Sequence, residues 1–461
     1  MVAGSPRSVA AEPKTAAAAP RGGALPLTGG GRLPLVFIVA GLVAFGLAAA
    51  WLAHVAGRGS GFPPFLHPEV VAVAHLWLPG FLLSICLGAT YQLMPVVLGE
   101  AVRLREGWLW THAGLHLTGV AALVWGLVSG RYVAAGLGGL AVVAGVAILS
   151  VATLRTFRAS RRRDAAAWSF IFAAGWLLAT VAAGVVMALN RRHGFLPLSM
   201  IDLLRAHAHL GLVGYFMSLL QGVTFQLVPM FTMSEARRPR IAMAGLLATQ
   251  AGLPVLAAGL AWGARGPTVA GAGVVAAGLV GTGWALAATL ATRRRRRLDV
   301  GVRAFVVGMS LLGLGGAGGL ALALGAAGAE RLLPSAASYG LVVIVGGLSF
   351  TVLGMLAKIL PFLVWMKAYG PRVGHEPVPV ATALSSRRLE EFWFGTHLLG
   401  LACLLAGVLT ETHAPTMAGG VLLVAGAALW LGNAARVLSH LLRVVGPKTA
   451  AMVTAKPTPA S

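Results

Sequence analysis

One helical signature occurs three times in this chain, about 133 residues apart, and its copies align without a gap. It reads AHLWLPGFLLSICLGATYQLMP over residues 74–95, AHLGLVGYFMSLLQGVTFQLVP over 208–229, and GLVVIVGGLSFTVLGMLAKILP over 340–361. Gly80, Gly214 and Gly346 coincide, as do Gly88, Gly222 and Gly354, and Pro95, Pro229 and Pro361. Self-similarity at a fixed period constrains a fold more than any local propensity, because each copy must adopt one shape. His75 and His209 stand at one position of the signature, twenty residues before the proline, where the third copy has Leu341. The pattern predicts a threefold bundle with histidines near its axis.

Apolar runs long enough to cross a hydrocarbon core of ~30 Å set the surroundings of that bundle. They cover residues 33–56, 70–99, 107–129, 131–154, 165–189, 204–232, 240–263, 268–292, 302–326, 335–366, 390–411 and 414–442. Hydrophobic residues make up 57% of the chain and charged ones 11%, against roughly 25% charged in soluble domains. The predicted class is an all-α polytopic membrane protein: twelve transmembrane helices in three pseudo-threefold, four-helix repeats. The repeats span 33–160, 161–300 and 301–443, and the signature is always on the second helix. Residues 1–32, rich in Ala, Gly, Pro and Ser, and residues 444–461 read as disordered tails. A leader of that length also argues against a signal peptide.

The formal charge of +23 is distributed as a membrane topology signal. With the N-terminus inside, 28 of the 36 lysines and arginines fall in cytoplasmic segments and 7 outside, while Lys358 lies within a span. Cytoplasmic loops carry such an excess. The expected location is a bacterial inner membrane with both termini cytoplasmic, lipid is the expected surroundings, and no nucleic-acid partner is expected. Cys86 and Cys403 both fall within spans, so neither belongs to a disulfide framework.

An imidazole inside a membrane is costly unless paired, so it either ties two helices together or serves a site. Two in register, at one depth, favour the second reading: His75 and His209 are candidate ligands of a heme or metal. His207 lies about 200° from His209 around the helix; it either serves a second site or packs. Arg191, Arg192 and Arg205 sit just outside the sixth span against the charge bias, and guanidinium clamps carboxylates such as heme propionates well. His112 and His116, four apart on the third span, read as an interfacial hydrogen-bonding pair. Gln92 and Gln226 occupy one position of two copies and read as bridging amides.

These features resemble subunit I of the heme-copper oxidases, nearest the C-type branch and the related nitric oxide reductases. That fold has twelve spans in three four-helix arcs. The resemblance implies that His75 matches an axial ligand of a low-spin heme and that His209, twenty residues before Pro229, matches a copper ligand. The chain departs from the family where oxygen is reduced. It has Tyr339 and Leu341 where the family carries His-x-His on helix 10, and no histidine on helix 7. The resemblance therefore implies a divergent member that lacks a complete oxygen-reducing centre. Its expected cofactor is heme b, held between His75 and His209 in the pore between helices 2 and 6; copper is a lesser candidate. The implied role is electron transfer or binding of a diatomic gas such as NO or O2, with an electron donor or other respiratory membrane subunits as partners. The alternative is a cofactor-free transporter or an accessory protein that assembles respiratory complexes.

Overall fold

The computed structural model describes residues 31–58, 66–294, 297–325 and 335–443. Most of the expected N-terminal tail and the whole C-terminal tail lie outside them. Twelve helices are long and apolar enough to cross a membrane. They are α1 (Arg32–Ala56), α2 (Pro68–Leu98), α3 (Glu106–Val128), α4 (Tyr132–Ala159), α5 (Ala165–His193), α6 (Met200–Thr232), α7 (Pro239–Ala261), α8 (Arg265–Ala291), α9 (Val300–Ala323), α10 (Ala337–Ala368), α11 (Arg387–Thr410) and α12 (His413–Leu442). No strand occurs among the described residues. The molecule is an all-α polytopic membrane protein, because with no water to pair the backbone only intrahelical hydrogen bonds satisfy it in hydrocarbon.

Aspartates start two of the helices. Asp164 Oδ1 accepts from the Ala167 amide at 2.9 Å and Asp299 Oδ1 from the Val302 amide at 3.1 Å, which satisfies one of the free donors at each N-terminus. Inside the bundle, α2, α6 and α10 are the most enclosed. Of their most apolar stretches, 67%, 78% and 78% of residues are buried, against 50% or less in every other helix. Around them the chain runs as a closed ring. α1 packs on α2, α5 on α6 and α9 on α10; α3 pairs with α4, α7 with α8 and α11 with α12; α4 then meets α5, α8 meets α9, and α12 returns to α1. The return is fastened at its end, where His413 Nε2 donates to the Gly57 carbonyl at 3.0 Å.

Glycine sets the distance within the outer pairs. Without a hydrophobic drive between helices in lipid, small residues that let backbones approach do much of the holding. Glycines recur every seventh residue along these faces, as in Gly245, Gly252 and Gly259 on α7. A methyl group on Gly271 of α8 would meet the backbone nitrogen of Leu256 on α7 and lie 2.6 Å from its Cα. One on Gly126 of α3 would meet the Ala135 amide of α4, and one on Gly407 of α11 would lie 2.5 Å from the Thr416 amide of α12. The signature glycines play the same part further in. A methyl on Gly88 would lie 2.7 Å from the Pro34 carbonyl of α1, and one on Gly354 would lie 2.6 Å from the Gly301 carbonyl of α9. On Gly222 it would collide with the Ser169 hydroxyl of α5.

Candidate functional site

The three central helices are not α-helical throughout. α2 widens to a π-helix over Leu76–Leu83, α6 over Leu210–Met217 and α10 over Leu341–Leu348. A π stretch bonds each N–H to the carbonyl five residues back, and such bulges collect at functional sites. His75 and His209 are each the last α-helical residue before the stretch begins.

The widened turns leave carbonyls that need partners, and a serine ends each stretch. Ser84 Oγ donates to the Pro79 carbonyl at 3.3 Å and Ser349 Oγ to the Ile344 carbonyl at 2.9 Å, both five residues back. Neighbouring helices complete the arrangement. His116 Nε2 of α3 bonds Ser84 Oγ at 2.9 Å, Gln250 Nε2 of α7 donates to Ser218 Oγ at 3.0 Å, and Trp77 Nε1 of α2 donates to Ser349 Oγ at 3.0 Å. On α11, His397 Nε2 donates to the Val345 carbonyl of the α10 stretch at 2.9 Å. His112 Nδ1 takes the Tyr91 hydroxyl at 2.7 Å. The two α3 histidines thus tie that helix to α2, as an interfacial pair should. Replacing His116 with leucine is expected to lower stability by about 1–2 kcal/mol, the upper range for an interhelical hydrogen bond in a membrane. The midpoint of unfolding in mixed micelles measures it, and a bound cofactor's spectrum should not change.

At the N-terminal ends of the central helices the polar groups are arranged differently. His75 Nδ1 lies 2.7 Å from the Val71 carbonyl and His209 Nδ1 lies 2.8 Å from the Arg205 carbonyl, each four residues back. A carbonyl only accepts, so Nδ1 carries the proton in both rings and Nε2 keeps its lone pair. That is the anchoring by which ligand histidines are usually oriented. His209 Nε2 faces the Tyr339 hydroxyl of α10 at 3.4 Å, with the ring planes within 19° of each other. His207 takes the other side of α6. Its ring rests against Gly184 of α5, and its Nδ1 is buried without a hydrogen-bond partner. The two histidines of α6 diverge by nearly half a turn, and His209 is the one that turns to α10.

The expected arginines occupy the same end. Arg205 is exposed and pairs with Asp202 at 3.1 Å across one turn of α6, while Arg191 and Arg192 are exposed on the last turn of α5. Exposed pairs of this kind contribute little to stability, so these guanidinium groups remain available to a carboxylate. Of the two glutamines, Gln226 accepts from Arg162 at 3.1 Å and so bridges. Gln92 is buried with an unpaired oxygen. Lys358 pairs with Asp299 at 2.6 Å at the foot of α9 and lies over the Phe231 ring.

For a heme the donor set fits best at His75, whose Nδ1 is anchored to the Val71 carbonyl and leaves Nε2 with its lone pair, while His209 Nε2 faces the Tyr339 hydroxyl. The position must be the N-terminal ends of α2 and α6. On the axis itself the cavity is only about 40 Å³, lined by Cys86, Thr90, Leu220, Thr351 and Met355, which is room for a few waters at most. A copper centre of three converging ligands has less support, since among the described residues no three of His, Cys, Asp and Glu come together. No family model and no curated protein matches the chain.

Proposed function

We propose that this protein binds one b-type heme at the N-terminal ends of α2 and α6, with His75 as one axial ligand and a histidine of α6 as the other. The supporting observation is the placement of His75: half-buried on a central helix, anchored through Nδ1 to the Val71 carbonyl, and standing where the helix passes from α to π. When bound, the heme supplies one-electron chemistry or an iron for a diatomic gas. The chain's own residues hold the ring planes, keep the ligand nitrogens unprotonated and offer Arg191, Arg192 and Arg205 to the propionates. The same reading takes the chain as three rotated copies of a four-helix unit on an oxidase-like scaffold, in a bacterial inner membrane. In its favour are the recurrence of the π stretches within one residue of register and the neighbour relations of the closed ring. Tyr339 and Leu341 on α10, and the absence of histidine from α7, leave no complete oxygen-reducing centre.

A second reading, a cofactor-free transporter or assembly factor, is favoured by the closed apolar axis. An absorption spectrum of protein purified in mild detergent separates the two. The heme reading expects a Soret band and sharp reduced α and β bands at about one heme per chain. A colourless preparation that stays colourless after hemin is added sinks it.

A further inference from the structure

We propose that the axis of the bundle carries a binding site, separate from the histidines, for one small uncharged gas molecule of two or three atoms. The site has two adjoining parts. The first is the axial cavity of about 40 Å³, where α2, α6 and α10 meet Phe170 of α5, with Cys86, Ala89, Leu220 and Met355 in its wall. The second is a niche of about 10 Å³ between α2, α4, α5 and α6, and Thr90, Phe170 and Leu219 line both. One water needs about 10–15 Å³, so the cavity has room for about three atoms of that size and the niche for about one. Both parts lie deep. Cys86 and Leu220 stand eleven residues beyond His75 and His209 along their helices, about 15 Å at the helical rise. The site therefore does not rest on the heme reading, and either can fail without the other.

The walls decide what such a site takes. In the cavity, Thr351 Oγ1 is committed within α10, donating to the Gly347 and Leu348 carbonyls at 3.0 and 2.9 Å. The sulfurs of Cys86 and Met355 hydrogen-bond only weakly. A buried water holds about three hydrogen bonds, and apolar cavities that cannot supply them stay dry and accept apolar guests instead. The niche is different. Tyr215 lines it from α6, and its hydroxyl is buried without a hydrogen-bond partner. Thr90 lines it from α2. Other buried threonines, such as Thr153, Thr224 and Thr282, donate to the carbonyl four residues back. Thr90 makes no such bond, which leaves its hydroxyl to the niche. A molecule with an apolar body and one weakly polar end matches both parts: the body fills the cavity and the end meets the Tyr215 and Thr90 hydroxyls. An ion does not match. No charged side chain lines either part, and an unpaired buried charge is strongly disfavoured. So few atoms make few contacts, so the dissociation constant should be no tighter than about 1 mM.

Crystals of the full-length protein under xenon pressure test the cavity. Xenon should appear between Cys86, Leu220 and Met355, and it should be lost from Ala89→Leu, whose added carbons fill the space. Ordered water there, with no xenon, overturns the proposal. A second measurement needs no filled variant. In Cys403→Ser protein Cys86 is the one remaining thiol, and its S–H stretching band should shift when the sample is saturated with nitrous oxide. An unshifted band also overturns the proposal. The polar end is read from the antisymmetric stretch of nitrous oxide itself. A bound band should appear in wild type and move in Tyr215→Phe and in Thr90→Val, each of which removes a hydroxyl with little change of shape. One frequency in all three proteins shows that the hydroxyls do not hold the ligand and overturns the two-part site. None of these readouts involves heme. Gas binding as expected in a protein that never takes up heme would sink the heme reading and leave this site standing.

Discussion

Alanine at His75 is expected to strip heme from the protein. The ring nitrogen is a direct ligand in the proposed site, and losing even an outer-shell partner of a metal ligand typically costs 10–100-fold in affinity. The His75→Ala protein should therefore hold heme at least ~100-fold more weakly and emerge from purification with a heme-to-protein ratio near zero. The fold should survive, because the hydrogen bond of the His75 ring stays within its own helix, at the Val71 carbonyl four residues back. Thermal unfolding of the stripped protein should thus match apo wild type. Alanine at His116, which holds the π stretch of α2 by hydrogen bonding to Ser84, should instead cost stability and leave the ratio unchanged. If His75→Ala retains a full complement of heme with an unshifted spectrum, the ring is not a ligand.

The largest expected effect on stability comes from one methyl group. Gly271→Ala is expected to destabilise by about 3 kcal/mol, at the upper end of ordinary overpacking, because the new carbon would lie against the backbone of Leu256 rather than a movable side chain. Two residues on, Gly273 faces open space, with nothing within 4 Å of an added methyl. Gly273→Ala should be neutral or stabilise by up to about 1 kcal/mol, since alanine is the better helix former. Both variants add the same atom to the same helix, so composition and hydrophobicity cancel. Equal unfolding midpoints for the two would show that α7 and α8 are not held at glycine distance.

Much of this architecture is legible in residue order alone. Runs such as 70–99 and 204–232 place spans within a few residues of α2 and α6, because a hydrocarbon core demands about twenty apolar residues whatever the neighbours are. The heptad glycines of the outer pairs, such as Gly119 and Gly126 or Gly400 and Gly407, are as plain in the sequence as the signature's own, although they lie outside the repeated motif. The π stretches have no such signal. Their apolar sequence, LWLPGFLL or LGLVGYFM, is compatible with α geometry, and what goes with the wider turn is a partner outside it: Ser84, itself bonded by His116, or His397 taking up a carbonyl. The histidines stand out by type and position, and their divergence around α6 follows from the helical angle. Which neighbour each one meets does not, because that depends on how α5 and α10 flank α6. In the sequence Tyr339 is only the residue standing where the resemblance expects a histidine, yet it is the one that faces His209.

The closed ring of helices bears on how the protein is made. A ribosome delivers α1 first and α12 last, yet these two are neighbours: Gly420 of α12 lies against Ala53 of α1, and His413 binds the Gly57 carbonyl. The pairs α3–α4, α7–α8 and α11–α12 can each close as soon as their second helix leaves the translocon. The first helix cannot. Its far flank faces lipid through the synthesis of everything between, and the circle is sealed only when the final helix arrives, so the earliest segment to enter the membrane is the last to be fully enclosed.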